Sequence, residues 1–72
     1  MNVTEETHRL FHWVMTIQHG RGQLSTLANT VWLPHGTTRV EAFGMVQDHV
    51  RRTVGAADRL AILFFSLEPD QL

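Results

Sequence analysis

Five histidines, at positions 8, 12, 19, 35 and 49, are the densest chemical resource of this 72-residue chain. An imidazole can ligate a metal, move a proton or change charge near pH 6. His8 and His12 stand four residues apart, a spacing that on a helix would turn both rings to one metal. His12, however, falls in a stretch with the period of a strand, and no third ligand sits at a diagnostic spacing. We therefore expect no metal site. His19 and His35 fall in loops and His49 on a helix flank, where imidazole is an ordinary hydrogen-bonding group whose protonation could tune association. Ser25, Ser66, Asp48 and Asp58 would complete the residue types of a hydrolase, but no nucleophile elbow or ordered triad motif accompanies them. Glu5 with Glu6, and Glu68 with Asp70, are near carboxylates that become acid and base only where their surroundings drive the two pKa values apart. His19-Gly20-Arg21-Gly22 could offer amides to an anion, yet it lacks the lysine and the following helix of a phosphate loop. The expectation is no enzyme: no catalytic residue, no cofactor and no metal.

The charges exclude more. Six arginines, no lysine and seven carboxylates leave a formal net charge of −1, too even a balance for a basic nucleic-acid tail or an acidic mimic of one. Arg21, Arg39, Arg51 and Arg52 are the residues that would hold phosphates in a small nucleic-acid-binding regulator, the alternative reading. Neither an aromatic RNA motif nor a helix-turn-helix pair supports it. With no cysteine there are no disulfide staples, thiolate zinc sites or thiol nucleophile. The N-terminal residues lack the basic and apolar regions of a signal peptide, and the longest apolar run is too short to cross a bilayer. A cytoplasmic protein without membrane contact is the expectation.

Four elements must position these residues in a single domain over residues 1–72, with 1–8 a flexible or short helical N-terminal segment. Residues 9–18 alternate Phe11, Trp13, Met15 and Ile17 with His12, Val14 and Thr16, the period of a strand. Gly20 and Gly22 suit a tight reversal into a second strand near residues 24–33, with Leu27, Val31 and Leu33 on one face and Leu24, Thr26, Ala28, Thr30 and Trp32 on the other. If Phe11, Trp13, Met15 and Ile17 share a face with Leu27, Val31 and Leu33, paired residue numbers sum to an even number and the loop holds three or five residues; a two-residue loop would instead set Leu24 and Trp32 opposite the Trp13 face, which is less uniformly apolar. Pro34 ends that strand. Thr38 and Glu41 have the spacing of a capping box, and Val40, Phe43, Val46 or Gln47, Val50 and Val54 mark the apolar stripe of a helix. Gly55 terminates it, with Arg51 and Arg52 at its negative end. The last strand, near residues 59–67, is apolar on both alternating faces, which predicts an interior strand returned parallel to the first by the helical crossover. Glu68-Pro69-Asp70 closes it.

The expected fold is therefore α+β: a compact ββαβ with a three-stranded mixed sheet under one covering helix. Its element order, with the Leu33-Pro34-His35-Gly36-Thr37-Thr38 approach to the helix, resembles the first portion of the ubiquitin-like β-grasp over residues 11–67. The later strands and the Gly-Gly tail of that superfold are missing, so conjugation chemistry is not implied. The segments His12-Trp13-Val14-Met15-Thr16 and Leu63-Phe64-Phe65-Ser66-Leu67-Glu68-Pro69 are similar to those of small uncharacterised actinobacterial or phage proteins, a resemblance that implies no activity.

One helix covers one sheet face. The other would carry Val14, Ala28, Trp32 and one of the two adjacent phenylalanines, so Val14, Ala28, Trp32, Phe64 and Phe65 are the candidate interface. Residues 4–10 could fold over it as a short helix, but they hold few large apolar groups. A contiguous apolar face of this kind marks association, and a small chain without staples gains from a second subunit. The sequence thus predicts a non-enzymatic interaction module, homodimeric or bound to a protein partner through a sheet face or strand edge. Phe11, Trp13, Ile17, Leu27, Val31, Phe43 and Val50 are the expected core.

Overall fold

A computed structural model describes residues 5–55 and 60–71. Three strands and one helix follow in the order β1 (His8–His19), β2 (Gln23–Pro34), α1 (Arg39–Val54) and β3 (Leu60–Pro69). β1 and β2 form a hairpin whose paired numbers keep an even sum throughout, Met15 opposite Leu27 and Phe11 opposite Val31. The connection is the three residues 20–22, with Gly20 and Gly22 at φ 59° and 87°, values that side-chain-bearing residues reach only with strain. The odd loop favoured by the apolar pattern is the one present, and it puts Trp13, Met15, Ile17, Leu27 and Val31 on one face.

The strand order is β2-β1-β3, and β3 pairs antiparallel with β1. Two expectations are corrected here. The sheet is wholly antiparallel, not mixed, and β3 is an edge strand, not an interior one. The helix carries the chain from β2 across β1, so β3 runs in the direction of β2 and opposite to β1. Apolarity on both faces of β3 has a different cause from central burial: Leu60, Ile62, Phe65 and Leu67 pack on the core, whereas Leu63 and Phe64 face outward and are more than half exposed. The pairing shifts register where Thr16 meets Phe64 and Ile17 meets Ile62, so Leu63 is the extra residue of a β-bulge. Glu68 and Pro69, expected to lie beyond the strand, are its last residues.

Helix α1 begins and ends as its terminal residues dictate. Thr38 accepts the Glu41 amide at 3.2 Å, and a Glu41 carboxylate oxygen accepts both the Thr38 amide, at 3.0 Å, and its hydroxyl, at 2.9 Å. Gly55 closes the last turn at φ 72°, donating its N–H to the Arg51 carbonyl. The buried helix residues are Ala42, Val46 and Val50. Val40, assigned above to the covered stripe, is instead 80% exposed. At 100° per residue it lies about 120° around the helix from Val46, while Ala42 lies about 40° away, so the small alanine occupies the place against the sheet. Trp13, Met15, Ile17, Val46 and Val50 form the core cluster, flanked by Leu27, Val31 and Phe43. Phe11 is only half-buried, with the Arg9 guanidinium 5.6 Å from its ring centre.

Residues 8–10 belong to β1, so the helical cover suggested for residues 4–10 is not formed there. Residues 5–7 make a turn, tied down by the His35 amide donating to the Thr7 carbonyl at 3.0 Å and by the His35 ring Nε2 donating to the Glu5 carbonyl at 3.0 Å. The linker residues 56–59, which include Asp58, lie outside the described residues.

Candidate interaction surface

Because side chains alternate along a strand, the even-numbered residues of β1 and β2 share the face that α1 leaves open. Val14 and Ala28 are directly opposite one another at its centre, and Trp32 is opposite Leu10. The bulge then decides between the two phenylalanines. Phe64 stands opposite Thr16 on the open face, and Phe65 stands opposite Met15 on the covered one. Phe65 is thus removed from the candidate interface. It packs edge-on against Phe43 with ring centres 5.1 Å apart, and the Arg39 guanidinium lies 5.8 Å from its ring centre.

The open face carries Leu24, Trp32, Leu63 and Phe64, with exposures of 66%, 41%, 56% and 54%. Leu24 and Leu63 were not among the candidates. Leu24 was legible as a member of the Trp32 face, but its position beside the hairpin gave no reason to single it out. Leu63 could be found only by knowing where the bulge falls. The titratable groups on this face are His8, His12 and Glu68, with His12 directly between Thr30 and Glu68. All three belong to the end remote from the hairpin, which leaves the hairpin half uncharged. Thr16 and Thr26 hydroxyls meet at 2.9 Å across the strands, so this polar pair satisfies itself.

The two edges of the sheet differ. Thr30 donates its amide to its own neighbour, the Asn29 side-chain oxygen, at 2.8 Å, so that N–H points away from β1. Alternate residues of an antiparallel strand turn their N–H and C=O to the same side, which gives Leu24, Thr26, Ala28, Thr30 and Trp32 the outward backbone groups of the β2 edge. Consistent with this, the even-numbered Leu10 of β1 turns its carbonyl toward the opposite side, where Asp70 donates to it at 3.1 Å. The β2 edge runs for twelve residues without a charge, with its one proline at the last position, and its pairing has no register shift. Lysines, bulges and mid-strand prolines are the usual means of blunting a free edge; β3 has its bulge, whereas β2 has none of the three.

Between β2 and α1 lies a groove of about 240 Å³, with Trp13 and Val31 at its base and Met45, His49 and Arg52 on the helix side. The His49 ring stands edge-on to Trp13 at 5.9 Å. A wider hollow of about 850 Å³ opens at the far strand ends, where Glu5 and Asp70 sit with Arg9, His8 and His35. Its charges are of both signs, which favours no ion of one sign.

The residues weighed for catalysis are mostly scattered. His19 and Ser25 do meet, Nε2 to Oγ, at 3.0 Å. Of the other residues weighed, Asp48 is exposed on α1, and Ser66 lies on the opposite sheet face, across from Val14. Among the described residues no three of His, Asp and Glu gather as metal ligands. Of the arginines, Arg39 stands apart. Arg39 and Arg51 are separated by twelve helix residues, about 18 Å at 1.5 Å per residue, and Arg39 is drawn onto Phe65. Arg21 occupies the hairpin loop. No helix among the described residues is long and apolar enough to cross a membrane.

Comparison with protein-family models, with curated proteins and with solved structures finds no match.

Proposed function

We propose that the chain is a small non-enzymatic interaction module that associates with a second copy of itself through its three-stranded sheet. The observation that carries this reading is the open face: Leu24, Trp32, Leu63 and Phe64 are exposed together on the side away from α1. A three-stranded face of this length spans roughly 500 Å² at ordinary strand spacings, which these four apolar side chains share with His12, Thr16, Thr26, Thr30 and Glu68. An isologous contact needs only one surface to be complementary to itself, and the uncharged hairpin half of the face sets no like charges against each other.

The test is mass in solution. Light scattering coupled to size exclusion should give twice the chain mass at tens of micromolar, and Trp32→Arg should return it to the single mass with an unchanged far-ultraviolet circular dichroism spectrum. A monomer at millimolar concentration overturns the reading. A monomer that binds duplex DNA or RNA with an affinity falling steeply with salt would favour the arginine reading instead.

A further inference from the structure

Resting on self-association through the sheet, we infer that the joint is the β2 edge, with two copies pairing β2 to β2 about a two-fold axis to make one six-stranded antiparallel sheet. The outward backbone groups of β2 belong to its even-numbered residues, so symmetric pairing must set even numbers opposite even numbers. One register is self-complementary in side chains as well. With Ala28 on the axis, Thr26 faces Thr30 of the second copy, and Leu24 faces Trp32 of the second copy at each end of the joint. The two exposed large side chains of the strand thereby cover each other, a pairing of the kind that stabilises adjacent strands. On the helix side the same register puts Leu27 of the second copy opposite Asn29, at the mouth of the groove in which Met45 is exposed.

Charge and area both admit a second copy. No residue of β2 carries a formal charge at neutral pH, so the strand can lie against itself without repulsion. Nine paired residues span about 30 Å. With the shortest principal extent of the molecule, 18 Å, as the height of the contact, the two copies together bury roughly 1,100 Å², at the lower end of what a specific interface needs. The β3 edge fits less well: its bulge at Leu63 leaves six regularly paired residues from Phe64 to Pro69, the last two a charge and a proline. The Asn29 side chain that holds the Thr30 amide keeps a donor satisfied that the second strand would take over.

The chain has no cysteine, so single introduced thiols report the joint cleanly. Residues in a hydrogen-bonded antiparallel pair have Cα atoms about 5.5 Å apart, inside the disulfide range. Under mild oxidation Ala28→Cys should become a covalent dimer. Thr26→Cys alone should not, but a mixture of Thr26→Cys with Thr30→Cys should cross-link, which fixes the register without relying on position 28. Val40→Arg, on the exposed side of α1, should leave the dimer mass unchanged, while Leu24→Arg should weaken dimerisation at least tenfold. A dimer that resists all these β2 cross-links overturns the edge joint and leaves self-association standing through the open face. A monomer overturns both.

Discussion

Replacing Phe65 by alanine should remove most of the domain's stability, whereas the same change at Phe64 should be nearly silent, although the two residues are adjacent and chemically identical. The difference follows from the bulge at Leu63, which turns Phe65 toward α1 and Phe64 toward water. Truncating a fully buried phenylalanine costs about 3 to 5 kcal/mol; Phe65 is half-buried, so about 2 kcal/mol belongs to its burial. The edge-on contact with Phe43 adds about 1 kcal/mol. The sum, about 3 kcal/mol, compares with the ~3 to 5 kcal/mol that the core of so small a domain supplies. Phe64 makes no such contact, and its loss is bounded by strand propensity, less than about 1 kcal/mol. Urea titration followed by circular dichroism measures both, at a protein concentration low enough to keep association out of the transition. At about 1 kcal/mol per molar urea, Phe65→Ala should lower the midpoint by about 3 M and Phe64→Ala by less than about 1 M. Equal shifts, or a larger one for Phe64→Ala, would refute the placement of the bulge and the division of the two faces built on it.

Other perturbations probe the helix and its ends. Thr38→Ala removes the N-cap acceptor of the Glu41 amide and should cost about 1 kcal/mol, a fall in melting temperature of roughly 4 to 8 °C for a domain of this size. Acid should undo the same cap. The backbone hydrogen bond from Thr38, and then its hydroxyl, hold the Glu41 carboxyl below its usual value of 4.5. The stabilisation is therefore complete above the unfolded-state pKa and is lost as pH falls through the lower folded-state one. Glu41→Gln should flatten that part of the helical signal between pH 5 and 2, and an unchanged acid profile would contradict the assignment. Gly55→Ala should destabilise by about 1 to 2 kcal/mol, because Gly55 holds φ 72° with open space around it and the cost is backbone strain alone. Val40→Ser, on a side chain left in water, should stay within about 0.5 kcal/mol of the parent; a larger loss would mean that the helix is rotated toward Val40.

What could be read in advance divides along physical lines. The hairpin register was legible because Phe11, Trp13, Met15, Ile17, Leu27 and Val31 agree on one face if the loop is odd, whereas a two-residue loop sets Leu24 and Trp32 on that face, a less uniformly apolar arrangement. Both helix ends were legible because Thr38, Glu41 and Gly55 act through local hydrogen bonds and a local dihedral angle. The placement of β3 was not. Double-faced apolarity reads as burial on both sides, and nothing local says that one of those faces is left in water at a sheet edge. The phenylalanines could not be told apart because the extra residue at Leu63 breaks the alternation that would have separated them. The helix was read slightly rotated, since valine outweighs alanine in any apolar pattern and the contact was won by the residue small enough to approach the sheet, Ala42. Of the candidate interface, Val14, Ala28, Trp32 and Phe64 do share one surface; Leu24, already on the Trp32 face of the expected strand, joins them because its side chain is 66% exposed.

The central place of β1 has a consequence for how the chain is made. The strand that leaves the ribosome first needs the one that leaves last: His12 waits for Glu68, and Ile17 for Ile62. Closing so long a loop is slow compared with forming a hairpin or a helix. Until β3 pairs, β1 and β2 meet with one flank of β1 bare, and a neighbouring chain competes for that flank only where its concentration approaches the roughly millimolar effective concentration of the tethered β3. Exchanged pairs should therefore arise on refolding at high protein concentration, and dilution should return each polypeptide to its own last strand.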